Sequence, residues 1–354
     1  MSAAERAAIR KAKRIVVKIG SSTLARDEDA HARLARAIRG LMDEKKSVVL
    51  VSSGAIALGA KKLGYRGRPK EMAKLQAAAS AGQSLLMRAY EEAFAREGLA
   101  AAQVLLTHAD LADRARANNA RAALSALLDA RCVPILNEND AVAIEEIKFG
   151  DNDELSAMVT PLVAADVLVL LSDVPGLLDA HGERVRVVHD VAAEALPLVR
   201  AKKSSAGTGG MASKIEAARR ATLAGAHVVI ADAGKRDVLE RILAGEDEGT
   251  LFVAATRRLP AKKHWIAFTL RARGDVWLDD GAARAVRDKG TSILAVGVAG
   301  VRGDFRAGDS VRVLAPDGAE IGRGLAGVSA TDAVLVAGKK TETVLVHRDD
   351  LVVW

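Results

Sequence analysis

Residues 15–22 read IVVKIGSS, an apolar run with a single lysine that is followed by a glycine and two serines. Apolar residues on consecutive positions are typical of a strand that is buried on both faces, as in a parallel sheet covered by helices. Gly20 allows the chain to turn sharply where the strand ends. The stretch therefore predicts an inner strand of a parallel sheet with a loop at its carboxyl end.

More apolar runs of this kind follow before residue 255, at residues 48–51, 103–106, 133–136, 167–171 and 227–230. The stretches between them are longer and rich in Ala, Leu, Arg and Glu, and those at residues 71–96 and 114–130 predict helices. Strands that alternate with helices predict an α/β fold, a three-layer αβα sandwich.

The pattern changes near Leu259 and Pro260, where short strands broken by glycines replace the helical stretches. Strand candidates there are residues 311–314, 333–336 and 343–347. They predict a small β-rich unit of about 80 residues, a pseudo-barrel or sandwich. We therefore expect two domains, with the boundary between residues 250 and 265.

Charge and composition exclude several classes of protein. Residues 261–354 hold 14 basic and 12 acidic residues, and the net charge of the whole chain is +7, so neither part is an intensely basic nucleic-acid-binding block. The apolar runs are far shorter than the roughly 20 residues of a membrane helix, and no secretory apolar stretch follows Met1. We expect a soluble, cytoplasmic protein with no membrane partner, in which the lone Cys132 packs as a small hydrophobe.

Two strand ends in the first domain combine glycine with hydroxyl or cationic residues. Lys18 in a buried strand is costly unless its ammonium group meets an anion or reaches water, and the plainer alternative is that it snorkels to solvent. The Ser53-Gly54 turn precedes an Ala-rich helix, whose first N–H groups suit an anion, although a simple serine N-cap explains it too.

A third region holds two acidic and amide clusters, NENDAV at residues 137–142 and GDNDE at residues 150–154. Their carboxylates could hold an ammonium group, a metal ion or catalytic lysines. The glutamate that closes an EF-hand calcium loop is missing at the required distance. Turns and helix caps explain either cluster alone, but they explain both together poorly.

The fourth region is GTGGMASKI at residues 207–215, in which glycines and a threonine directly precede a predicted helix. Free N–H groups at a helix start form a phosphate cradle, and Lys214 opposes the helix dipole there unless it meets a polyphosphate. The loop is neither a Walker A nor a GxGxxG sequence. Phosphoryl transfer is indicated by the combination of Lys18, Lys214, the glycine-rich loops suited to anions and the carboxylate clusters.

These motifs, in this order and spacing, resemble the glutamate 5-kinase family, which belongs to the amino acid kinase superfamily. Residues 66–69, Gln76 and residues 82–84 add to the resemblance, which covers nearly the whole chain. It implies an enzyme that moves the γ-phosphate of ATP to the side-chain carboxylate of glutamate, as the first step of proline biosynthesis. The product would be an unstable acyl phosphate.

The resemblance also implies roles for individual residues. Lys18 and Lys214 would act on the phosphates and the transferring group, oriented by Asp153. Glutamate would be held by Ser53, Asp140 and Asn152. The residues implied to contact ATP are Lys18, Gly20, Ser172, Asp173, Thr208, Gly209, Gly210, Met211, Ala212, Ser213 and Lys214. Mg2+ would be held mainly by the phosphates, with no metal site on the protein.

The family further implies inhibition by proline at a site overlapping that of glutamate, a homo-oligomer, and delivery of the product to a glutamyl phosphate reductase. One departure concerns residues 176–178, Gly-Leu-Leu, where the family usually has Gly-Leu-Tyr before a longer loop. This puts the adenine-side contacts in doubt. The catalytic domain is expected at residues 1–258.

Residues 274–354 resemble a PUA domain, through Gly303-Asp304-Phe305, Gly308-Asp309 and residues 318–324. PUA domains often bind RNA, but the near-neutral charge and the few aromatic residues favour a structural or regulatory appendage. Other acceptors stay open with the same fold, namely N-acetylglutamate, aspartate, a carbamate or UMP. The acidic clusters favour an acceptor with a free ammonium group.

Overall fold

The computed structural model describes residues 2–27, 29–143, 152–201, 210–256 and 258–354. The chain divides into two compact units, Met1–Arg258 and Leu259–Trp354. All the loops that are expected to carry chemistry belong to the first unit.

The first unit is built on an eight-stranded sheet with the strand order β3-β4-β2-β1-β5-β7-β8-β6. Its strands are β1 (Arg14–Ile19), β2 (Ser47–Ser52), β3 (Ala100–Leu106), β4 (Cys132–Glu138), β5 (Val167–Ser172), β6 (Val187–Val188), β7 (His227–Asp232) and β8 (Thr250–Phe252). The strands from β3 through β7 in this order are parallel, and β8 is antiparallel to β7. Each apolar run predicted to be a strand in this unit is one.

Helices cover both faces of this sheet. Those described are α1 (Ser2–Arg10), α2 (Ser21–Arg26), α3 (Ala30–Asp43), α4 (Ala55–Lys62), α5 (Met72–Arg96), α6 (His108–Ala112), α7 (Arg114–Asp129), α8 (Asn152–Leu162), α9 (Leu196–Ala201), α10 (Met211–Leu223) and α11 (Val238–Leu243), with a π-helical turn at Val191–Ala195. The predicted three-layer αβα sandwich is confirmed.

Alternate residues of β1 point into two separate hydrophobic cores. Ile15, Val17 and Ile19 pack in the core that α3, α5 and α11 cover. Val16 packs in the opposite core, which α7, α8 and α10 cover. Because side chains at alternate strand positions share a face, Lys18 lies on the same face as Val16, toward α8 and α10.

The order of strands and helices brings the first turns of α8 and α10 to the carboxyl edge of the sheet. α8 comes between the parallel strands β4 and β5, so it begins where β4 ends and runs back across the sheet. It packs on β1, β2, β4 and β5, and α10 packs against it before leading into β7. Polar residues in these two first turns therefore lie near the end of β1.

The helices α4 and α5 cross at two glycines. A Cβ atom on Gly59 would overlap the carbonyl oxygen of Ala78, and one on Gly82 would overlap that of Ala55. The two backbones are therefore in direct contact, which only glycine permits. The chain enters α4 through Gly54, whose φ of 120° is a conformation that other residues rarely adopt. This crossing fixes the connection between α4 and α5.

The second unit holds a six-stranded sheet with the order β10-β14-β13-β12-β9-β11. Its elements are α12 (Ala261–Phe268), β9 (Gly274–Leu278), α13 (Asp280–Lys289), β10 (Ile293–Leu294), β11 (Val298–Gly303), β12 (Ser310–Leu314), β13 (Glu320–Ala326), α14 (Ala330–Val336) and β14 (Val344–Val353). β9 and β12 are parallel, whereas the other neighbouring pairs are antiparallel. The unit has its own hydrophobic core.

One predicted strand in this unit is wrong. Residues 333–336 belong to α14, whose N-cap residue is Ser329. The Ser329 hydroxyl accepts a hydrogen bond from the Asp332 amide at 3.2 Å. Val334 and Leu335 are exposed, so the run is not a buried strand. A short apolar run cannot by itself distinguish strand from helix, and the Ser-x-x-Asp capping signal before it was the better guide.

Within the described parts of the chain, no helix combines the length and apolar character that crossing a membrane requires.

The crossing of α4 and α5 yields a stability prediction. Gly59→Ala should lower the free energy of unfolding by about 1–3 kcal/mol, because the added methyl forces the two helices apart. Gly40→Ala is a matched control, since Gly40 lies inside α3 with open space around it. It should raise stability by about 0.5–1 kcal/mol through the higher helix propensity of alanine. Urea denaturation followed by circular dichroism measures both, and a loss of equal size for the two variants would refute the close crossing.

Candidate active site

A buried triad of charges lies where β1, α8 and α10 meet. Both Lys18 and Lys214 form ion pairs with Asp153, one on each carboxylate oxygen, and the Lys214 Nζ to Asp153 Oδ2 distance is 3.0 Å. Asp153 is fully buried, and the two lysines are only 6% and 5% exposed. The lysine expected to snorkel to solvent or meet an anion therefore meets a protein carboxylate.

The two ammonium groups control the ionisation of Asp153. Burial raises the pKa of this carboxyl, but the neighbouring Lys18 and Lys214 outweigh it, so its pKa lies below the usual range. Asp153 is in the first turn of α8, where the helix dipole also favours a negative charge. With all three groups ionised, the triad carries a net charge of +1. It is suited to stabilising additional negative charge beside it.

The start of α10 adds a hydroxyl to this cluster. Gly210 is the N-cap residue, and the Ser213 hydroxyl lies 2.9 Å from the Gly210 carbonyl oxygen and 3.2 Å from Asp153 Oδ2. Lys214 follows within the same turn and faces the unfavourable end of the helix dipole. Asp153 offsets that cost, so the helix start and the triad form one unit.

A cavity of about 380 Å³ lies beside the triad at the ends of β2 and β4. Asn152, which directly precedes Asp153, lines it and organises its floor. The Asn152 amide nitrogen lies 2.7 Å from the Ser52 carbonyl oxygen, 2.9 Å from the Ser53 hydroxyl and 2.8 Å from Asn137 Oδ1, three acceptors that share its two hydrogens. Asn137 in turn donates to Gln83 Oε1 at 2.9 Å. The floor is thus a continuous polar network.

The end of β2 is anchored from the opposite helical layer. The Ser52 hydroxyl lies 2.7 Å from the Tyr90 hydroxyl of α5. Tyr90 is fully buried, and burial raises the pKa of its phenol above the ordinary value, so it stays neutral. His31 packs edge-on against the Tyr90 ring with the centroids 4.6 Å apart. These contacts hold the Ser53 side of the cavity in place.

Charges of both signs line the same cavity. Asp140 is buried there, and burial raises its pKa to about 6, an effect that the positive charge of Arg68 partly opposes. Glu138 and Lys61 are further lining residues. Asp140 is therefore ionised near neutral pH and is positioned to pair with a cationic group of a bound molecule.

The described positions among those implied for ATP contact lie at the ends of β1 and β5 and at the start of α10. Gly20 follows β1, and Ser172 ends β5, the neighbouring strand, with its hydroxyl 3.2 Å from Asp173 Oδ1. Gly210, Met211, Ala212, Ser213 and Lys214 form the start of α10. Thr208 and Gly209 lie outside the described residues, as does Asp151 of the second acidic cluster. The ATP-contacting roles of these residues stay predictions.

The structure brings the predicted residues into two adjoining groups. Lys18, Asp153 and Lys214 form the triad, and Ser53, Asp140 and Asn152 line the cavity. The implied residue roles did not include Asn137, Gln83, Arg68 and Tyr90. Asn137 and Gln83 stood inside the stretches already singled out, but an amide in such a stretch carries no signal of its partner. Among the described residues, no group of three or more His, Cys, Asp or Glu side chains could hold a metal ion.

Two protein-family models match the chain. Residues 13–232 match the model of the amino acid kinase family, and residues 274–347 match that of the PUA domain. The chain is 46% identical to a glutamate 5-kinase of Cupriavidus metallidurans, over 97% of this chain and 98% of the relative. It is 47% identical to one of Chromobacterium violaceum, over 96% and 97%. The glutamate 5-kinase of Trichlorobacter lovleyi is 43% identical over 98% of both chains.

A solved structure of a Giardia carbamate kinase is more distant, with 18% identity and a TM-score of 0.49 over 68% of this chain and 98% of that one.

The triad yields a prediction about stability. Asp153→Asn should lower the free energy of unfolding by about 3 kcal/mol, because it removes the carboxylate that two buried ammonium groups share. Asp43→Asn is the control, since the ion pair of Asp43 with Arg39 is exposed and should contribute less than about 0.5 kcal/mol. Urea denaturation compares the two variants. If Asp153→Asn cost no more than the control, the triad would not be part of what holds β1, α8 and α10 together.

Proposed function

The chain belongs to the glutamate 5-kinase family of the amino acid kinases, and we propose that it transfers the γ-phosphate of ATP to the γ-carboxylate of L-glutamate. The product is L-glutamyl 5-phosphate, and the reaction is the first step of proline biosynthesis. In this proposal the cavity at Ser53 and Asn152 binds glutamate, and the triad acts on the phosphates.

One observation carries the assignment of the two subsites. Asn152 of the cavity and Asp153 of the triad are consecutive residues in the first turn of α8. The group that holds the acceptor and the group that holds the two lysines therefore belong to one rigid element. Transfer between two bound substrates depends mainly on such relative positioning.

The chemical step is an in-line displacement. A γ-carboxylate oxygen of glutamate forms a bond to the γ-phosphorus of ATP while the bond from that phosphorus to the β,γ-bridging oxygen breaks, and ADP leaves. No proton needs to move. Negative charge spreads over the transferring phosphoryl oxygens, and the Lys18 and Lys214 ammonium groups stabilise it from fixed positions. Asp153 keeps both lysines oriented through its two carboxylate oxygens.

The cavity recognises the amino acid end of the acceptor. The Asp140 carboxylate pairs with the α-ammonium group of glutamate. Ser53 and Asn152 supply hydrogen bonds that direct its side chain toward the triad. An N-acetylated acceptor has no ammonium group, so it would offer the buried Asp140 carboxylate no cationic partner.

ATP is proposed to bind at the opposite side of the triad. The start of α10, from Gly210 to Lys214, offers N–H groups to the phosphates, together with Gly20 after β1. Ser172 and Asp173 at the end of β5 are proposed contacts as well. Mg2+ is proposed to be held mainly by the phosphates, where it would neutralise their charge.

The remaining partners are proposed from the chemistry of the product and from the family resemblance. An acyl phosphate hydrolyses readily, which favours its prompt use by a reductase. Proline is proposed to inhibit the enzyme at the glutamate cavity. A homo-oligomer and a cytoplasmic location are proposed from the family resemblance. The structural or regulatory role favoured over RNA binding for residues 274–354 stays a prediction, as do the domain limits.

The proposed reaction is tested by trapping the acyl phosphate with hydroxylamine. Glutamate should form a hydroxamate in the presence of ATP and Mg2+, whereas aspartate and N-acetylglutamate should form little, and UMP should release no ADP. Turnover with another acceptor but none with glutamate would reassign the substrate. Proline added to the glutamate reaction should suppress it.

A triad variant connects this activity to the described site. Lys214→Met should lower kcat about 100-fold or more while the KM for glutamate stays near wild type, since the ammonium group acts mainly in the transition state. Lys74→Met removes an exposed lysine of α5 and should leave both constants unchanged.

The ionisation of Asp140 predicts a pH dependence. As pH falls through about 6, the pKa to which burial raises this carboxyl, Asp140 becomes neutral and loses its attraction for the ammonium group of glutamate. The kcat/KM for glutamate should therefore decline below about pH 6, since this ratio reports groups of the free enzyme. Asp140→Asn should raise the KM about 10- to 100-fold and remove this inflection.

Asp129→Asn is the control for this profile, because Asp129 is exposed at the end of α7, away from the cavity. An inflection that persists in Asp140→Asn would belong to another group.

A further inference from the structure

Among the described residues that line the cavity beside the triad, two side chains are cationic and two are anionic. Lys61 and Arg68 line it together with Glu138 and Asp140. A site for a purely anionic acceptor would not need buried or half-buried carboxylates, because they repel it. Both signs in one cavity are suited to a zwitterion, a molecule with an ammonium and a carboxylate group of its own. The inference below rests on the proposed function and names how the acceptor is selected.

An α-amino acid imposes a distance constraint on its partners. Its ammonium and carboxylate groups are attached to the same carbon, so the protein groups that pair with them must also be close to each other. Asp140 is the proposed partner of the ammonium group. Arg68 is the cation whose charge acts on the Asp140 carboxylate, and it lines the same cavity. Arg68 is therefore in a position to pair with the α-carboxylate group of the same bound amino acid.

The backbone of the loop that carries Arg68 is restrained by its contacts with the neighbouring helices. Arg68 lies in the connection between α4 and α5, whose relative position the Gly59 and Gly82 crossing fixes. The Tyr65 amide donates to the Ala60 carbonyl oxygen at 2.9 Å, which ties the connection to the end of α4.

The local sequence adds further restraint. Gly67 has a φ of 92°, and Pro69 follows Arg68, so the residues on both sides restrict the path of the chain.

We propose that Arg68 is a specificity-determining residue that binds the free α-carboxylate of the acceptor. A guanidinium group can donate two parallel hydrogen bonds to a carboxylate, which a lysine such as Lys61 cannot do. Together, Asp140 and Arg68 select a free α-amino acid. A peptide with an N-terminal glutamyl residue keeps the ammonium group but has an amide in place of the α-carboxylate, so it is discriminated against at Arg68.

The test pairs a change in the protein with a matched change in the acceptor. Wild type and Arg68→Gln are assayed for kcat/KM with L-glutamate and with L-glutamate α-amide, which keeps the ammonium group and the γ-carboxylate. Arg68→Gln should lower kcat/KM for glutamate about 10- to 100-fold, as for a lost charge-assisted hydrogen bond. It should change kcat/KM for the α-amide less than about threefold, because the partner of Arg68 is absent there.

Two further variants serve as controls. Arg66→Gln changes an exposed arginine of the same loop that does not line the cavity, and it should leave both acceptors unaffected. Lys61→Gln removes the other cation of the cavity and should not show the acceptor-dependent loss. Thermal melting of each variant confirms that it is folded.

Two results would overturn the proposal about Arg68, and a third would refute the proposed function on which it rests. An equal loss with both acceptors would make Arg68 a residue that merely shapes the cavity. A loss of kcat/KM with glutamate but not with the α-amide, seen in Lys61→Gln and absent from Arg68→Gln, would assign binding of the α-carboxylate to Lys61. Absence of hydroxamate formation by the wild type with glutamate would instead refute the proposed function itself, so the two failures are distinguishable.

Discussion

The buried carboxylate of Asp153, held between the Lys18 and Lys214 ammonium groups, is the interaction on which the rest of the site depends. It joins three elements that are far apart in the chain, the end of β1 and the first turns of α8 and α10. Three buried charges would be costly without one another. Their mutual pairing makes a cationic centre compatible with a folded interior, and it fixes where negative charge can be stabilised.

The acceptor cavity depends on the same helix start. The Asn152 side-chain amide forms hydrogen bonds to Ser52 at the end of β2 and to Asn137 in β4. Because Asp153 directly follows Asn152 in the chain, the cavity and the triad cannot shift independently. On the other side, the glycine crossing of α4 and α5 sets the wall that carries Arg68. The proposed binding of an amino acid and the proposed stabilisation of a phosphoryl group would thus both depend on one rigid arrangement at the carboxyl edge of the sheet.

Much of the fold could be read from local patterns. Strands with helices on both faces must be apolar on consecutive positions, and each run found on that basis in the first unit is a strand. The strand predicted at residues 333–336 was wrong because an apolar run of that length also occurs in a short helix. Only the Ser329 cap distinguishes the helix from a strand there. The polar strand ends were identifiable because charge and glycine occur together at several of them, whereas turns, caps or a snorkelling lysine explain only single features.

By itself, the sequence determined the layered architecture, the two units and the set of polar residues at the strand ends, because hydrophobic periodicity and loop chemistry are local properties. Only the tertiary structure decided which of those residues meet. Lys18 and Lys214 are separated by nearly 200 positions, and their common partner depends on strand order and on the direction in which α8 and α10 cross the sheet. The placement of Arg68 near Asp140 likewise depends on the packing of two helices through glycine. Contacts of this kind arise from packing between distant segments, which no local pattern encodes.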